Sequence, residues 1–439
     1  MKFQIERDVL AEAVGWVSRA LPARPVIPVL SGLLLQAADG LTLSCFDYEV
    51  SARADVDAEV AEPGTVLVPG RLLAEITRSL PSLPVEFADD PEGVSLTCGS
   101  ASFTLVTLPV EEYPDLPALS QTAGTVDGGD LAAAIGQVAP AASRDDTLPL
   151  LTGVNLEVEG ETMTLAATDR YRLAVRDLPW SPARPGVSGT YLVPARTLAD
   201  AARTMAPGVP VTVRLRSDRD RDAELASEYG DAGADDRGTG RAPASRAADA
   251  MIGFESGGRR LTTRLIAGEY IKYRSRFPDD FACRADMPAA PFIEAVRRVS
   301  LVAERGSAVR LTFGGGEVTV EAETQGRARA REIVRADFHG LEPAIAFSPH
   351  FLLDGIVAAG ASAATPGTSA SDGAPPDTAG PAGGLIRLEF NSSTKPAVVT
   401  GVRAAAAPAA GTTSAAGTAE PASPHFRYLV VPLRTAGRQ

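Results

Sequence analysis

Arginine residues at repeated spacings are the part of this sequence whose pattern points most directly to chemistry. Arg71 and Arg78 lie seven residues apart, and Arg196 and Arg203 repeat that spacing 125 positions later. At about 100° per residue, the members of each pair share one face of a helix. A guanidinium face without aromatic residues for base stacking suits contact with phosphate backbones and no sequence readout. An ordinary solvated helix face is the alternative interpretation.

Residues that could bind a metal or drive catalysis are scarce. The three cysteines are far apart and form no CxxC motif, and the three histidines form no HExxH motif. Asp145-Asp146 and Asp279-Asp280 are tight acidic pairs, but adjacent residues in a strand face opposite ways, so neither pair makes a metal site alone. The sequence therefore predicts no metal, no cofactor and no catalytic residue. A nuclease or hydrolase is the rival hypothesis from the enzyme class.

The overall charge and the hydropathy limit the choice of partners. A net charge of −13 argues, taken alone, against a protein that binds nucleic acid, although an average says little about one face. No apolar stretch approaches the ~20 residues of a membrane span. The first residues, MKFQIERDVLAEAV, carry charges where a signal peptide needs an apolar region. These features predict a cytoplasmic protein without membrane contact.

Internal repetition is the strongest signal of domain organisation. A short strand, a proline and an amphipathic helix recur at 66–76, 191–201 and 345–355. Hairpin patterns precede them at 27–53, 148–176 and 309–334, and helical patterns open the units at 8–21, 129–142 and 290–304. The closing halves at 102–116 and 259–273 also match. We therefore expect an α+β fold of three units, each with two helices packed on antiparallel sheets and with a free sheet edge that favours end-to-end joining.

The repeats predict three domains, at 1–120, 121–280 and 281–439. Three stretches do not fit the repeat and are rich in Ala, Gly, Pro, Ser and Asp, at about 217–250, 361–384 and 404–424. Such compositions bury too little apolar surface to offset the entropy of ordering. We interpret these stretches as disordered inserts, the first in the second domain and the other two in the third.

Six motifs together make the chain resemble the bacterial DNA polymerase III beta subunit, the sliding clamp. They are RPVIPVLSGLLL (24–35), ASRDDTLPLLTGV (142–154), ATDRYRLAV (167–175), GEYIKYRSRFP (268–278), LVAERG (301–306) and the ending YLVVPLR (428–434). The resemblance covers the whole chain apart from the inserts. It implies a non-catalytic processivity factor, a head-to-tail homodimeric ring of clamp domains around double-stranded DNA. DNA contacts are then expected at Arg24, Arg71, Arg78, Arg144, Arg196 and Arg203.

The resemblance also implies a peptide-binding pocket. Short linear peptides of the DNA polymerase III alpha subunit, the clamp loader, repair polymerases and ligase are the expected ligands, and a cyclic-peptide inhibitor is a further candidate. An apolar cleft would anchor leucine or phenylalanine side chains, while Arg172 and Arg434 could meet polar peptide groups. The positions that match the family's pocket are Leu151, Thr168, Arg170, Tyr171, Arg172, Leu173, Ile271, Arg276, Leu429, Val430, Val431, Pro432, Leu433 and Arg434.

Three of these positions, and one just beyond them, depart from the family pattern. Ile271 stands where a proline is common, Arg276 where an aliphatic residue is, Val431 where methionine is usual and Thr435 where leucine is. A stiffer valine and an added charge would change which ligands the pocket accepts. One alternative is therefore a clamp paralogue whose altered pocket gives tolerance to a clamp-binding antibiotic. Another is a scaffold whose ring no longer loads on DNA.

Overall fold

A computed structural model describes residues 1–215, 250–304, 306–324, 326–363, 384–402 and 425–434. Nearly all of the three predicted inserts, and the predicted departure at Thr435, lie outside these residues. The secondary structure combines helices with antiparallel strands. No helix in the described ranges has both the length and the apolar character that crossing a membrane requires.

The described residues contain six α-helices, two in each predicted domain. They are α1 (Arg7–Val17), α2 (Gly70–Ser79), α3 (Gly128–Val138), α4 (Ala195–Ala202), α5 (Ala289–Val299) and α6 (Pro349–Ala363). Short 3-10 helices occupy Ser18–Ala20, Pro28–Ser31, Val110–Glu112, Ala139–Ala141, Pro149–Thr152, Arg274–Arg276 and Ser300–Val302.

The end of α6 corrects one predicted boundary. We expected an insert from about residue 361, but α6 continues to Ala363, which is buried. The composition argument predicts disorder here because the stretch is rich in small residues, including alanine. Alanine is also the strongest helix former, so the same residues extend the helix.

Strands make up most of the remaining described residues, nine in each predicted domain. The first nine are β1 (Lys2–Ile5), β2 (Gly32–Ala37), β3 (Leu41–Phe46), β4 (Val50–Val56), β5 (Glu59–Glu62), β6 (Gly64–Pro69), β7 (Val85–Asp90), β8 (Gly93–Cys98) and β9 (Ala101–Leu105). The next nine are β10 (Gln121–Asp127), β11 (Gly153–Glu159), β12 (Thr162–Thr168), β13 (Arg172–Pro179), β14 (Ser181–Pro182), β15 (Ser188–Pro194), β16 (Pro210–Leu215), β17 (Met251–Ser256) and β18 (Arg259–Arg264). The last nine are β19 (Cys283–Pro288), β20 (Val309–Gly314), β21 (Glu317–Thr324), β22 (Ala328–Arg335), β23 (Asp337–His339), β24 (Ala344–Phe347), β25 (Leu385–Phe390), β26 (Ala397–Val402) and β27 (Phe426–Val430).

The chain divides into two compact units, of which unit 1 comprises Met1–Ala132, Val158–Glu161 and Pro179–Gly268. One of its sheets has the strand order β5-β1-β7-β8-β9, and the other has the order β14-β10-β16-β17-β18-β4-β3-β2-β6. In the larger sheet β18 pairs antiparallel with β4, with Leu261 opposite Ala52. This pairing joins a strand of the second repeat to a strand of the first.

The helices of unit 1 cover the sheets with one apolar face each. On α1, Leu10, Ala13, Val14 and Val17 are buried, at the three- and four-residue spacing of one helix face. On α2 the buried residues include Leu73, Ala74, Ile76 and Thr77, so the remaining side of that helix faces solvent. Apolar burial of this kind is the main source of stability for the unit.

Unit 2 comprises Ala133–Glu157, Thr162–Leu178 and Glu269–Gln439. Its larger sheet includes the order β11-β12-β13-β27-β26-β25-β19-β23, and a four-stranded sheet has the order β22-β21-β20-β24. β27 pairs with β13 on one side and with β26 on the other. Helix α6 lies close against β27, because a Cβ built on Gly355 would come within 2.4 Å of the Tyr428 ring. Only a glycine permits this approach.

Candidate functional site

An open cavity of about 900 Å³ lies in unit 2 and is lined mainly by apolar side chains. Its apolar lining is Leu148, Pro149, Leu150, Leu151, Leu173, Ile271, Pro396, Leu429 and Val431. Its polar lining is Thr147, Thr168, Arg170, Arg172, Ser275 and Arg276. The volume suits a few side chains of a bound peptide or one small molecule.

The turn between β12 and β13 forms one wall and is held by side-chain caps. Asp169 Oδ1 accepts hydrogen bonds from the N–H groups of Tyr171 (3.0 Å) and Arg172 (3.1 Å). Thr168 Oγ1 accepts from Arg170 N–H at 3.2 Å and donates to the carbonyl of Arg172. Asp and Thr favour such turns because their short side chains replace backbone partners. Arg170 adopts φ 81°, in the left-handed region.

Arg172 is buried within this wall, and its guanidinium is engaged by the protein itself. It donates to Asp169 Oδ2 at 2.9 Å, to Asp354 on α6 and to the carbonyl of Pro140. The guanidinium carbon also lies 4.7 Å from the centre of the Phe351 ring. These contacts fix the turn against α6, so Arg172 lines the cavity chiefly as a structural group.

Tyr171 and the start of α6 form an aromatic cluster beside the turn. The Tyr171 ring, 54% exposed, stacks with Phe351 at 6.1 Å between centroids. The Phe351 carbonyl accepts a 2.9 Å hydrogen bond from the buried hydroxyl of Tyr428 on β27. This hydrogen bond connects the helix to the strand that contributes Leu429 and Val431 to the cavity.

The segment 269–276 forms the facing wall. The Tyr273 hydroxyl donates to Glu157 Oε2 at 2.8 Å, and Arg274 donates to the same oxygen at 2.7 Å. Burial, and then the hydrogen bond to Glu157, raise the pKa of Tyr273 above its ordinary value, so the hydroxyl keeps its proton. With Tyr273 fixed inward, Ile271 and Arg276 remain exposed toward the cavity.

Strand β27 and the residue after it form the base of the cavity, because successive side chains point to alternate faces of the sheet. Leu429 and Val431 line it, whereas Val430, between them, is fully buried on the other face of the sheet. Beyond β27, Val431 N–H donates to the Tyr171 carbonyl at 2.9 Å, and Leu433 N–H donates to the Ala346 carbonyl at 2.8 Å. These two bonds hold the chain after the strand has ended.

Nine of the predicted pocket residues therefore lie together in the cavity wall. They are Leu151, Thr168, Arg170, Arg172, Leu173, Ile271, Arg276, Leu429 and Val431. Five others do not line it: Tyr171 flanks it, Val430 and Pro432 are buried, and Leu433 and Arg434 are exposed beyond it.

Sequence reasoning missed six lining residues. The run 147–150 stood inside a quoted motif, and its apolar content beside a turn was a usable signal. Ser275 also lies in a quoted motif, GEYIKYRSRFP, but its small polar side chain gives no sign of a cavity, and neither does the loop proline Pro396.

The predicted basic faces are also exposed. In unit 1, Arg71 and Arg78 lie on the solvent side of α2 and border an open groove of about 530 Å³ with Arg19. Arg71 donates to the carbonyls of Leu21 (3.2 Å) and Pro22 (3.1 Å).

The other predicted basic positions are exposed as well. Arg196 lies at the start of α4, and Arg203 is the residue after its end, in ion-pair contact with Asp200 at 3.5 Å. Arg24 is exposed in a loop of unit 1, and Arg144 is exposed in unit 2.

Metal and thiol chemistry find little support among the described residues. No group of three or more His, Cys, Asp or Glu side chains in those ranges could hold a metal ion. All three cysteines are unpaired and buried, and burial raises the pKa of the Cys45 thiol to about 12. A buried thiol of high pKa is a poor nucleophile.

Three profiles of one family match consecutive parts of the chain. They are the DNA polymerase III beta subunit N-terminal domain at residues 1–117, its central domain at 125–272 and its C-terminal domain at 274–364. The matched ranges cover most of the described residues of both units.

Known proteins resemble the chain over most or all of its length. The beta sliding clamp of Streptomyces coelicolor is 46% identical over 438 residues, which is 100% of both chains. The beta sliding clamp homolog GriR of Streptomyces muensis is 43% identical over 357 residues, covering 81% of this chain and 88% of that protein.

Solved structures share the fold. A DNA polymerase sliding clamp from Bacillus subtilis gives a TM-score of 0.76 at 23% identity, covering 99% of this chain and 100% of that one. A sliding clamp from Pseudomonas aeruginosa bound to griselimycin gives 0.75 at 23% identity over the same shares.

Proposed function

This chain belongs to the DNA polymerase III beta subunit family, and we propose that it is a sliding clamp, a ring of two copies that encloses duplex DNA and tethers other proteins to it. The apolar cavity of unit 2 carries the proposal, because a tether needs a site that accepts partners. The exposed arginines of α2 and α4 supply the second requirement, a basic surface for DNA.

DNA contact is proposed at Arg24, Arg71, Arg78, Arg144, Arg196 and Arg203. A ring holds DNA by enclosing it, so each phosphate contact can be weak, and the contacts must be weak if the ring is to slide. Exposed guanidinium groups that reach phosphates through water meet that need. The net charge of −13 then discourages DNA from binding elsewhere on the surface.

Head-to-tail dimerisation is proposed on the basis of the repeat. In unit 1 a closing strand of the second repeat, β18, pairs with β4 of the first, and in unit 2 β27 of the third pairs with β13 of the second. The strand of the third repeat that corresponds to β4 and β13 is β22, and the strand of the first that corresponds to β18 and β27 is β9. Both lie at the edges of their sheets. We propose that β22 of one copy pairs with β9 of a second copy, which closes the ring.

The proposed partners are short linear peptides with apolar anchors. The DNA polymerase III alpha subunit, the clamp loader, repair polymerases and ligase are the candidates that use such peptides. Leucine or phenylalanine side chains of the peptide would enter between Leu151, Leu173, Leu429 and Val431.

Topological retention on DNA tests the central proposal. The protein would be loaded by its clamp loader on a nicked circular plasmid and separated from free protein by gel filtration. We expect retention on the circle and loss after the plasmid is cut once. Equal retention on linear DNA would contradict a ring, and a monomer by light scattering would contradict the dimer. Dimers that never load would favour the scaffold alternative.

We propose no catalytic activity. Nuclease and hydrolase assays with Mg²⁺, Mn²⁺ and Zn²⁺ would test this point, and metal-dependent turnover that copurifies with the protein would contradict it.

A second candidate function, tolerance to a clamp-binding antibiotic, is favoured by one observation. Ile271, Arg276 and Val431, three of the departures from the family pattern, all line the cavity. A relative is a clamp homolog named GriR, and another clamp has been crystallised with griselimycin. A charge in an apolar wall opposes an apolar ligand, because the guanidinium must lose water.

Titration with griselimycin and with a linear clamp-binding peptide tests this candidate. We expect Arg276→Leu to tighten griselimycin binding by about tenfold, the equivalent of ~1.4 kcal/mol, and to change peptide binding less. Lys272→Leu, on the same segment but outside the cavity lining, is the matched control. Tight griselimycin binding by the unaltered protein would exclude the tolerance function and leave the clamp proposal intact.

A further inference from the structure

The charged side chains that line the cavity of unit 2 are all of one sign. Three arginines line it, and no carboxylate of the described part of the chain does so. The chain as a whole carries 55 acidic and 42 basic residues, so a purely cationic lining departs from the average of the chain. A local excess of one charge at a binding site selects ligands of the opposite charge.

The three arginines are not equivalent. Arg172 is buried and already bound by Asp169, Asp354 and the Pro140 carbonyl, so its charge is neutralised within the protein. It therefore has little to offer a ligand.

Arg170 and Arg276 are exposed, and within the described ranges neither side chain forms an ion pair or a hydrogen bond with a carboxylate. The guanidinium of Arg170 lies 6.0 Å from the centre of the Tyr171 ring. The pKa of Asp145 is lowered chiefly by hydrogen bonds that its carboxylate accepts from the hydroxyl and the N–H of Thr147. The positive charge of Arg170 lowers this pKa further, but it is the smaller cause.

The backbone at Arg170 adds an independent observation. Its φ of 81° is a conformation that glycine or asparagine adopts more easily than arginine does. The chain thus carries a long cationic side chain at a turn position that disfavours one, directly beside the cavity. A ligand contact would give that residue a role that the fold itself does not require.

We propose that Arg170 and Arg276 make the cavity selective for peptides that carry an acidic residue next to their apolar anchors. This inference rests on the peptide-docking part of the proposed function. The apolar anchors enter the cavity, and the peptide carboxylate is held at the rim by guanidinium groups that form no ion pair with a carboxylate of the described residues. Guanidinium suits this task because its planar donors match both oxygens of a carboxylate.

A matched pair of peptides tests the selectivity. Each is short, fluorescein-labelled and built around the same leucine and phenylalanine anchors, with two aspartates beside the anchors in one peptide and two asparagines in the other. Binding to the full chain is measured by fluorescence anisotropy at about 50 mM and about 500 mM NaCl, because salt weakens contacts between exposed charges. We expect the aspartate peptide to bind about three- to tenfold more tightly at low salt, with a smaller difference at high salt.

Two substitutions locate the effect. Arg170→Asn keeps a residue that tolerates the left-handed turn, and Arg276→Gln keeps a polar side chain of similar length. Together they are expected to make the affinities of the two peptides equal. Lys272→Gln removes a neighbouring exposed cation outside the lining and should leave the preference intact.

Three results would overturn the proposal. Equal affinities in the unaltered protein, or a preference that survives the double substitution, would show that these arginines do not select acidic peptides, although docking would stand. Failure of both peptides to bind would instead remove the docking site on which the selectivity rests.

Discussion

Arg172 and Asp354, 182 positions apart in the sequence, form an ion pair in unit 2. The arginine side chain is 7% exposed and the aspartate side chain is 42% exposed. The pair joins the turn that borders the cavity to helix α6, so the shape of the cavity depends on a contact between the second and third repeats.

Loss of this arginine should weaken the fold as well as the cavity. We expect Arg172→Met to lower the free energy of unfolding by about 2–3 kcal/mol, because Asp169 and Asp354 lose a buried cationic partner. Urea unfolding followed by circular dichroism would measure the change. Asp354→Asn should cost less, because Asp169 still pairs with the arginine. An equal loss of unfolding free energy for both variants would contradict the idea that Arg172 stabilises the fold through Asp169 as well as Asp354.

Two glycine-to-alanine changes should act in opposite directions. Gly355→Ala, on α6, places a Cβ within 2.4 Å of the buried Tyr428 ring, and we expect a loss of about 1–3 kcal/mol from overpacking. Gly15→Ala, on α1, meets nothing within 4 Å and should stabilise the protein by up to about 1 kcal/mol. Thermal unfolding of both variants would decide, and a stabilising Gly355→Ala would show that α6 can move away from β27.

Asp286 should contribute stability that is lost in acid. Burial alone would raise the pKa of its carboxyl, but hydrogen bonds from Arg387 and Arg284 lower it below the ordinary value. A folded-state pKa below the unfolded one gives stability that is complete above the unfolded pKa of about 3.9 and disappears as the pH falls through the folded value.

Asp286→Asn should therefore reduce the free energy of unfolding at pH 7 by about 1 kcal/mol and flatten its fall below about pH 4. Glu389→Gln is the informative control. Burial raises the pKa of Glu389, so its neutral replacement should not destabilise the protein at pH 7. If the free energy of unfolding falls in parallel with decreasing pH for the unaltered protein and Asp286→Asn, the loss of stability in acid does not come from Asp286.

The cavity can be tested without disturbing the core. Ile271 lines the cavity and is 39% exposed, so Ile271→Asp should fold normally and weaken binding of an apolar-anchored peptide by more than about tenfold. Leu341→Asp removes an exposed leucine outside the lining and should leave the Kd unchanged. Equal peptide affinities for the two variants would place docking elsewhere.

The basic face of α2 predicts a change in salt dependence. Arg78→Gln should lower the slope of log affinity against log salt for duplex DNA by about one, the loss of one phosphate contact. Arg310→Gln, on the exposed face of β20, is the control and should leave the slope as it is. An unchanged slope for Arg78→Gln would remove this residue from the DNA surface.

Local patterns were enough to predict the elements, and the α+β fold of three clamp domains is confirmed by the three family matches and the related structures. The helical patterns at 8–21, 129–142 and 290–304 correspond to α1, α3 and α5, with 3-10 turns at their ends. These predictions worked because periodicity depends on neighbours in the chain.

Partners distant in sequence could not be predicted in the same way. Nothing in the local pattern of Arg172 points to Asp354. Pro396 lies just before β26, and the pairing of β26 with β27 brings it to the cavity. The exclusion of Val430 from the cavity depends on the register of β27 against β13, which a single strand does not specify.

The position of β27 between β13 and β26 also determines when the larger sheet of unit 2 can be completed during translation. β13 begins at residue 172 and its neighbour β27 at residue 426, so a ribosome adds about 250 residues before the neighbour exists. At about 5–20 residues per second, β13 waits roughly 10–50 s with an unpaired edge. A nascent chain therefore has no finished cavity. Under the proposed docking function, a truncated product that lacks β27 cannot compete with complete clamps for their partners.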